Sequence, residues 1–323
     1  MTSAASKPPT REELEAAFCW EADDTIPRRP EMSAFRRKAR YHQAQWREAH
    51  ALPIGTQPIL PKPKGPPARE VGSRLPLEYA RSTGANFLAP AALAAARART
   101  SYVEAHQTFD HQRLWADLLS SMALALNIFG DLAADLALAD RAVHRWFPDA
   151  PGRVVDVRFA HSPGRLDPAY LNNWRSFATA FIIERDDGTR GVVAVDVEYH
   201  ERNKSEVPRP ENVDRYTEVA RRSGAFASGA IDRLARPSDL CVVWLEHLLM
   251  FSMLQHGIGE WTWGRYLVVY PSTNCDLADS RARYRDTLAD DTTFATMTLE
   301  ALLDSATLPK PTVKVLRERY LFD

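Results

Sequence analysis

The spacing of apolar residues changes along this chain, and the changes divide it into elements. Between positions 112 and 129, Leu114, Leu118, Leu119, Met122, Leu126 and Phe129 recur mostly at steps of three and four, which lines one face of a helix. Gly130 and Asp131 punctuate that pattern. A second helix is expected over 132–147, with Leu136, Ala139, Val143 and Phe147 on one side and Pro148 at its end. Upstream, the alanine- and arginine-rich stretch 90–100 has helix-forming composition and a proline at its start. The period then falls to two. Strands are expected over 154–159, 176–184 and 191–199, and Asp186-Asp187-Gly188-Thr189 supplies the turn that makes the last two a hairpin. Helices return over 211–223 and 239–256, followed by a strand over 265–270 that ends at Pro271. Helices over 280–289, 299–306 and 312–320 close the chain. The order across the centre is helix, strand, strand, strand, helix, strand. That is an α/β fold with a mixed sheet of about four strands between helices.

Proline placement suggests a boundary. Pro58, Pro61, Pro63, Pro66 and Pro67 interleave with Lys62 and Lys64, a run that resists helix and strand and reads as an extended connector. Residues 1–75 are therefore expected to form an extension and 76–323 the main body. Within the extension, 34–50 is a helix carrying Arg36, Arg37, Lys38, Arg40 and Arg47. Composition alters little: 45% hydrophobic and 26% charged residues over 323 positions rule out global disorder. A net charge of −1 means any grip on a polyanion must come from a local patch. Three widely spaced cysteines, Cys19, Cys241 and Cys275, exclude a disulfide framework and fit a reducing cytoplasm. No secretory signal is apparent in the first residues. The richest apolar run, 240–254, is too short to span a bilayer, so a cytoplasmic protein without membrane attachment is expected.

The candidate chemistry lies on the strand ending near His200. Alternation puts Val193, Val195, Val197 and Tyr199 on one face and Ala194, Asp196, Glu198 and His200 on the other. The second face sets two carboxylates and an imidazole in a row, with roughly 6.5–7 Å between successive Cα atoms at strand rise. Two acids on one face of a central strand cost desolvation unless a cation or water compensates, and carboxylates with water are the usual ligands of Mg²⁺. The alternative is a one-sided sheet with a wet polar face.

The segments LLSSMALALNIFG (118–130), VRFAHSPGR (157–165) and GVVAVDVEYHER (191–202) resemble the PD-(D/E)xK nuclease superfamily. More narrowly, they resemble a restriction-endonuclease-like family of bacterial hypothetical proteins, and WLEHLLMFSMLQH (244–256) and YLVVYPSTN (266–274) extend the likeness. The resemblance implies an αβββαβ core with helical additions, DNA as partner and Mg²⁺ as cofactor. It also implies a metal-binding Asp in an S-x-F-D context, followed by E-x-K-Y-H-E on the next strand. This chain departs from that pattern: Ala178, with Thr179 beside it, stands at the Asp position, Asp196 at the Glu position and Glu198 at the Lys position. Tyr199, His200 and Glu201 match the flanking residues. Asp196 and Glu198 are then the implied metal ligands, with His200 as a supporting group.

Other residues are weighed as substitutes. Lys204 could swing back to the strand or be a solvated loop residue, and Asp167, Glu184 and Asp117 are acids near the right elements. An iron site would want two histidines and a carboxylate, with His161 as the second imidazole. The chain has no P-loop, G-x-G-x-x-G, H-E-x-x-H or G-x-S-x-G motif. The basic helix 34–50, with Tyr41 and Trp46, is either a nucleic-acid contact or a solvated face. Trp244, Trp261 and Trp263 are expected in the core. Three functions stay open: a Mg²⁺-dependent nuclease cleaving phosphodiesters in DNA, an inactive DNA- or protein-binding module on the nuclease fold, and a repurposed small-molecule metalloenzyme.

Overall fold

The computed structural model describes residues 7–19, 30–57, 69–201 and 205–322. A two-stranded ribbon, β1 (Gly55–Thr56) with β2 (Glu70–Val71), precedes the main sheet. That sheet runs in the order β3 (Arg153–His161), β4 (Phe177–Glu184), β5 (Arg190–Val197), β6 (Trp261–Tyr270), β7 (Phe294–Thr298). The first three strands are antiparallel neighbours, and β5–β6 and β6–β7 are parallel. The fold is the expected mixed α/β arrangement, a five-stranded sheet flanked by helices on both faces.

The alternation on β4, β5 and β6 feeds two cores. Phe181, Ile183, Val193, Val195 and Leu267 face the helices Ser121–Ala134, Leu136–Trp146 and Lys310–Tyr320. Ile182, Val192, Ala194, Tyr266 and Val268 face Val213–Ser223 and Cys241–Leu254. Both faces of β5 are therefore packed, so the expectation of one wet polar face fails for most of the strand. Burial on both sides also explains why Cys241–Leu254 has no polar stripe, with eleven of its fourteen residues buried. Trp244 and Trp261 are buried and Trp263 packs against the first core, as expected.

Several elements differ from expectation. The fifth strand, β7, has only Phe294 buried, so it carries no alternating pattern and owes its place to pairing with β6. The helix expected over 112–129 is broken. A single π-helical turn, Gln112–Ala116, gives way to extended backbone at Asp117, whose carboxylate accepts the Leu119 N–H at 3.0 Å. Ser120 then caps a new helix, Ser121–Ala134, by accepting from Ala123 N–H at 3.3 Å. Gly130 lies inside that helix instead of ending it, and the next helix, Leu136–Trp146, starts from an Asp135 cap.

The expected extension contains a helix, Pro30–Ala49, that packs into the main body. Phe35, Ala39 and Trp46 belong to the first core, and Gln43 Nε2 donates to the Arg319 carbonyl at 2.6 Å. Three of its arginines are structural ties. Arg40 donates to Ser73 Oγ at 3.1 Å, Arg47 to the carbonyls of Gly72 and Leu52 at 2.9 and 2.8 Å, and Arg37 to the Pro9 carbonyl at 2.5 Å. The proline-rich connector with Lys62 and Lys64, and Lys204, lie outside the described residues. Among the described residues no single helix is long and apolar enough to cross a membrane.

Candidate functional site

Where β5 ends, its second face opens into a cleft of about 400 Å³. Asp196, Glu198, Arg175, Ala178, Glu246 and Arg281 line it, and so do Arg113, Glu201, Glu206 and Asp239. Asp196 follows Ala194 on that face, so it points away from the first core and toward the helix Cys241–Leu254. One carboxylate oxygen of Asp196 accepts the Ala178 N–H at 3.0 Å. The other accepts the Tyr266 hydroxyl at 2.8 Å. Ala178 therefore supplies a backbone donor where the family pattern has a carboxylate. Its neighbour Thr179 is fully buried on the opposite, Phe181-bearing face and does not reach the cleft.

Sequence reading did not select Glu246, yet this residue completes the arrangement. It is the one acid in an otherwise apolar helix, and it accepts the same Tyr266 hydroxyl at 3.1 Å. Burial, then the charge of Asp196, holds the Glu246 carboxyl well above the usual carboxylate range, with Arg175 at 3.5 Å opposing them. Burial and the same two carboxylates raise Tyr266 well above an ordinary phenol. A lone acid interrupting an apolar helix was the available signal. The fully buried His247 beside it is a core residue: it bonds Tyr284 Oη at 2.8 Å and Thr293 Oγ1 at 3.0 Å, and burial lowers it to about 3.

Glu198 forms a fork with Arg281: Arg281 Nε donates to one oxygen at 3.0 Å, and Nη2 donates to the other. Burial still raises the Glu198 carboxyl, outweighing Arg281, while Arg281 is itself 2% exposed. Both oxygens of Glu198 are thus engaged by Arg281. Arg281 comes from the helix Cys275–Arg285, and nothing in its local sequence marks it.

His200 is not in this cleft. Regular strand ends at Val197, so the alternation that put His200 beside Asp196 and Glu198 stops short of it. The imidazole instead sits near Glu201, Asp117, Arg40 and Arg36, and burial lowers its affinity for protons. Asp117 pairs with Arg74 at 3.4 Å, Glu184 with Arg153 at 3.8 Å at the hairpin end, and Asp167 accepts the Ala169 N–H in a turn. His161 bonds Glu104 at 2.7 Å on the far side of β4. None of the described lining residues is a histidine, so the two-histidine iron arrangement does not form.

Among the described residues no group of three or more His, Cys, Asp or Glu is set to hold a metal ion. The pair Asp196 and Glu246 nevertheless fits Mg²⁺, which takes one or two carboxylates and keeps water for its remaining positions. Tyr266 has one hydrogen for two acceptors. Two partly buried acids that share one hydroxyl therefore favour a further proton or a cation between them.

The sequence model of the PD-(D/E)XK nuclease superfamily matches residues 30–322. No curated protein and no solved structure matches the chain.

Proposed function

The chain belongs to the PD-(D/E)XK nuclease superfamily, and on that premise we propose that it is a Mg²⁺-dependent nuclease acting on DNA whose catalytic charges have moved to new positions. Asp196 keeps its place in the motif. Glu246, reaching across from the helix Cys241–Leu254, takes over from the carboxylate absent at Ala178, and Arg281, gripped by Glu198, brings the positive charge absent at position 198. Asp196 and Glu246 would hold Mg²⁺, which supplies polarisation of the scissile phosphate and of a water. Tyr266 and the Ala178 N–H fix the Asp196 carboxylate in one orientation. Glu198 holds the Arg281 guanidinium at the cleft wall, where a permanent charge opposes the charge that develops on phosphate. Arginine keeps its proton at all working pH values, so Arg281 is an electrostatic group and not a base.

The observation that carries this reading is the single Tyr266 hydroxyl shared by two partly buried carboxylates. The test is Mg²⁺ and Mn²⁺ binding by calorimetry beside a plasmid-nicking assay, on wild type, Asp196→Ala and Glu246→Gln. Binding and nicking that disappear in both variants are expected. Nicking that survives either substitution removes the assignment.

A second reading is favoured by Glu198, whose two oxygens are both closed off by Arg281. In that reading the cleft binds without cutting, as a nuclease-fold module for DNA or protein. It expects metal binding with no nicking by wild type.

A further inference from the structure

Among the described residues β3 is an outer strand of the sheet, with β4 on one side and no strand on the other. Open edges invite pairing, and proteins commonly cap them. Here only the two ends are capped. The Val154 N–H donates to Asp140 Oδ1 at 2.8 Å. At the other end Arg99 Nε donates to the Phe159 carbonyl at 2.6 Å, and Arg99, Gln107 and Arg165 converge on the Ala160 carbonyl at 3.1, 3.2 and 2.9 Å. Among the described residues no side chain caps the stretch between, positions 155–158. The Phe159 carbonyl turns away from β4 to reach Arg99. Period two then turns the N–H and carbonyl of Val157 outward as well.

The side chains on this stretch are self-complementary. Asp156 and Arg158 pair at 2.7 Å on one face of the strand, 46% and 38% exposed. Beside them lies a groove of about 880 Å³ floored by Ala94, Ala95 and Ala98 of the helix Pro90–Ser101 and rimmed by Tyr102. Tyr102 and its chain neighbour Val103 are two of the seven large hydrophobic residues exposed among those described. An apolar edge region of this kind marks a partner surface.

We propose that β3 pairs with β3 of a second copy of this chain, antiparallel about a two-fold axis through Val157. In that register Val157 meets its own counterpart and exchanges both backbone hydrogen bonds. Asp156 lies opposite Arg158 of the second copy, and Arg158 opposite its Asp156. Every two-fold pairing of a strand with itself makes residue i meet j while j meets i, and this register is the one in which that rule sets Asp156 opposite Arg158. The result is a four-charge ring of alternating sign, with opposite charges as direct cross-strand neighbours. The carboxylate cleft is built on β5, two strands inward, so pairing at β3 leaves one cleft on each copy.

The test is the mass of the full chain by light scattering across a dilution series. Wild type is expected at twice the chain mass. Asp156→Arg sets like charges opposite each other twice and is expected to weaken the dimer by on the order of tenfold or more. The double variant Asp156→Arg/Arg158→Asp restores the alternation and is expected to restore the dimer. All three should melt at similar temperatures, since both positions are half-exposed. A monomeric wild type, a single variant that stays as dimeric as wild type, or a folded double variant that stays monomeric would each overturn the proposal.

Discussion

The Tyr266 hydroxyl has one hydrogen to give and stands 2.8 Å from an Asp196 oxygen and 3.1 Å from a Glu246 oxygen. Burial, reinforced by Asp196, raises the Glu246 carboxyl, so the folded chain binds there a proton that an unfolded chain releases near the ordinary glutamate value of about 4.3. The sign follows from linkage. This stabilisation is complete below that value and is lost as pH rises through the raised folded value. Mg²⁺ held by Asp196 and Glu246 would compete with the same proton. Its affinity should therefore climb with pH across that window, with about one proton released per ion. Glu246→Gln should abolish both the climb and the release, measurable by calorimetry in two buffers of different ionisation heat. The neighbouring pair behaves differently because its partners are both charged. Arg281→Met would leave Glu198 buried and alone, at a cost of about 3 kcal/mol. The double variant Glu198→Met/Arg281→Met should recover most of that stability, because an apolar pair of similar volume replaces a buried ion pair with little loss. Urea unfolding of the four members of this cycle gives the comparison, and a double variant less stable than Arg281→Met would refute it.

Gly130 illustrates how an element can be misread from its own sequence. In isolation a glycine after Phe129 reads as a stop, but the helix Ser121–Ala134 continues through it. The reason is tertiary: a Cβ at Gly130 would come within 2.6 Å of Ala92 Cα and 2.7 Å of its nitrogen, on the helix Pro90–Ser101. Two helix backbones meet there with no room for a side chain. Replacing Gly130 by Ala would gain about 1 kcal/mol in helix propensity. The clash is with backbone atoms that cannot swing aside, and overpacking of this kind costs about 1–3 kcal/mol. The clash should therefore win. Gly130→Ala is expected to lower stability modestly and Gly130→Val by more, read from denaturant midpoints at unchanged slope. The same limit explains β7 and the break near Asp117. β7 has one buried residue and depends on its neighbour, and the break depends on a carboxylate that bonds its own backbone and pairs with Arg74. The hairpin β4–β5 was legible because alternation and its turn both lie within one short stretch.

At the scale of the whole molecule, the near-neutral charge hides a polarised cleft. Its described lining carries Arg113, Arg175 and Arg281 against Asp196, Glu198, Glu201, Glu206, Asp239 and Glu246, three positive groups against six acids. Asp196 and Glu198 were legible because one strand's alternation carries both. Glu246 and Arg281 arrive from helices 50 and 85 residues beyond Asp196, and only folding brings the four together. In the basic helix offered as a DNA contact, Arg37, Arg40 and Arg47 are committed to Pro9, Ser73, Gly72 and Leu52. A phosphodiester approaching this cleft thus meets excess negative charge, and a low-dielectric wall makes that repulsion stronger than in water. A divalent cation between Asp196 and Glu246 would cancel most of the excess. DNA binding is therefore expected to require Mg²⁺ or Ca²⁺, and to strengthen as either is added up to the millimolar range. Simple counterion release would make added salt weaken binding throughout. Fluorescence anisotropy of a labelled duplex, titrated with protein in EDTA and then in Ca²⁺, separates the two. Ca²⁺ serves here because it binds carboxylates while often not supporting cleavage, so binding is read without loss of substrate. Equal affinity in EDTA and Ca²⁺ would place the DNA somewhere other than this cleft, and Glu246→Gln should reduce the Ca²⁺-dependent part of the affinity alone.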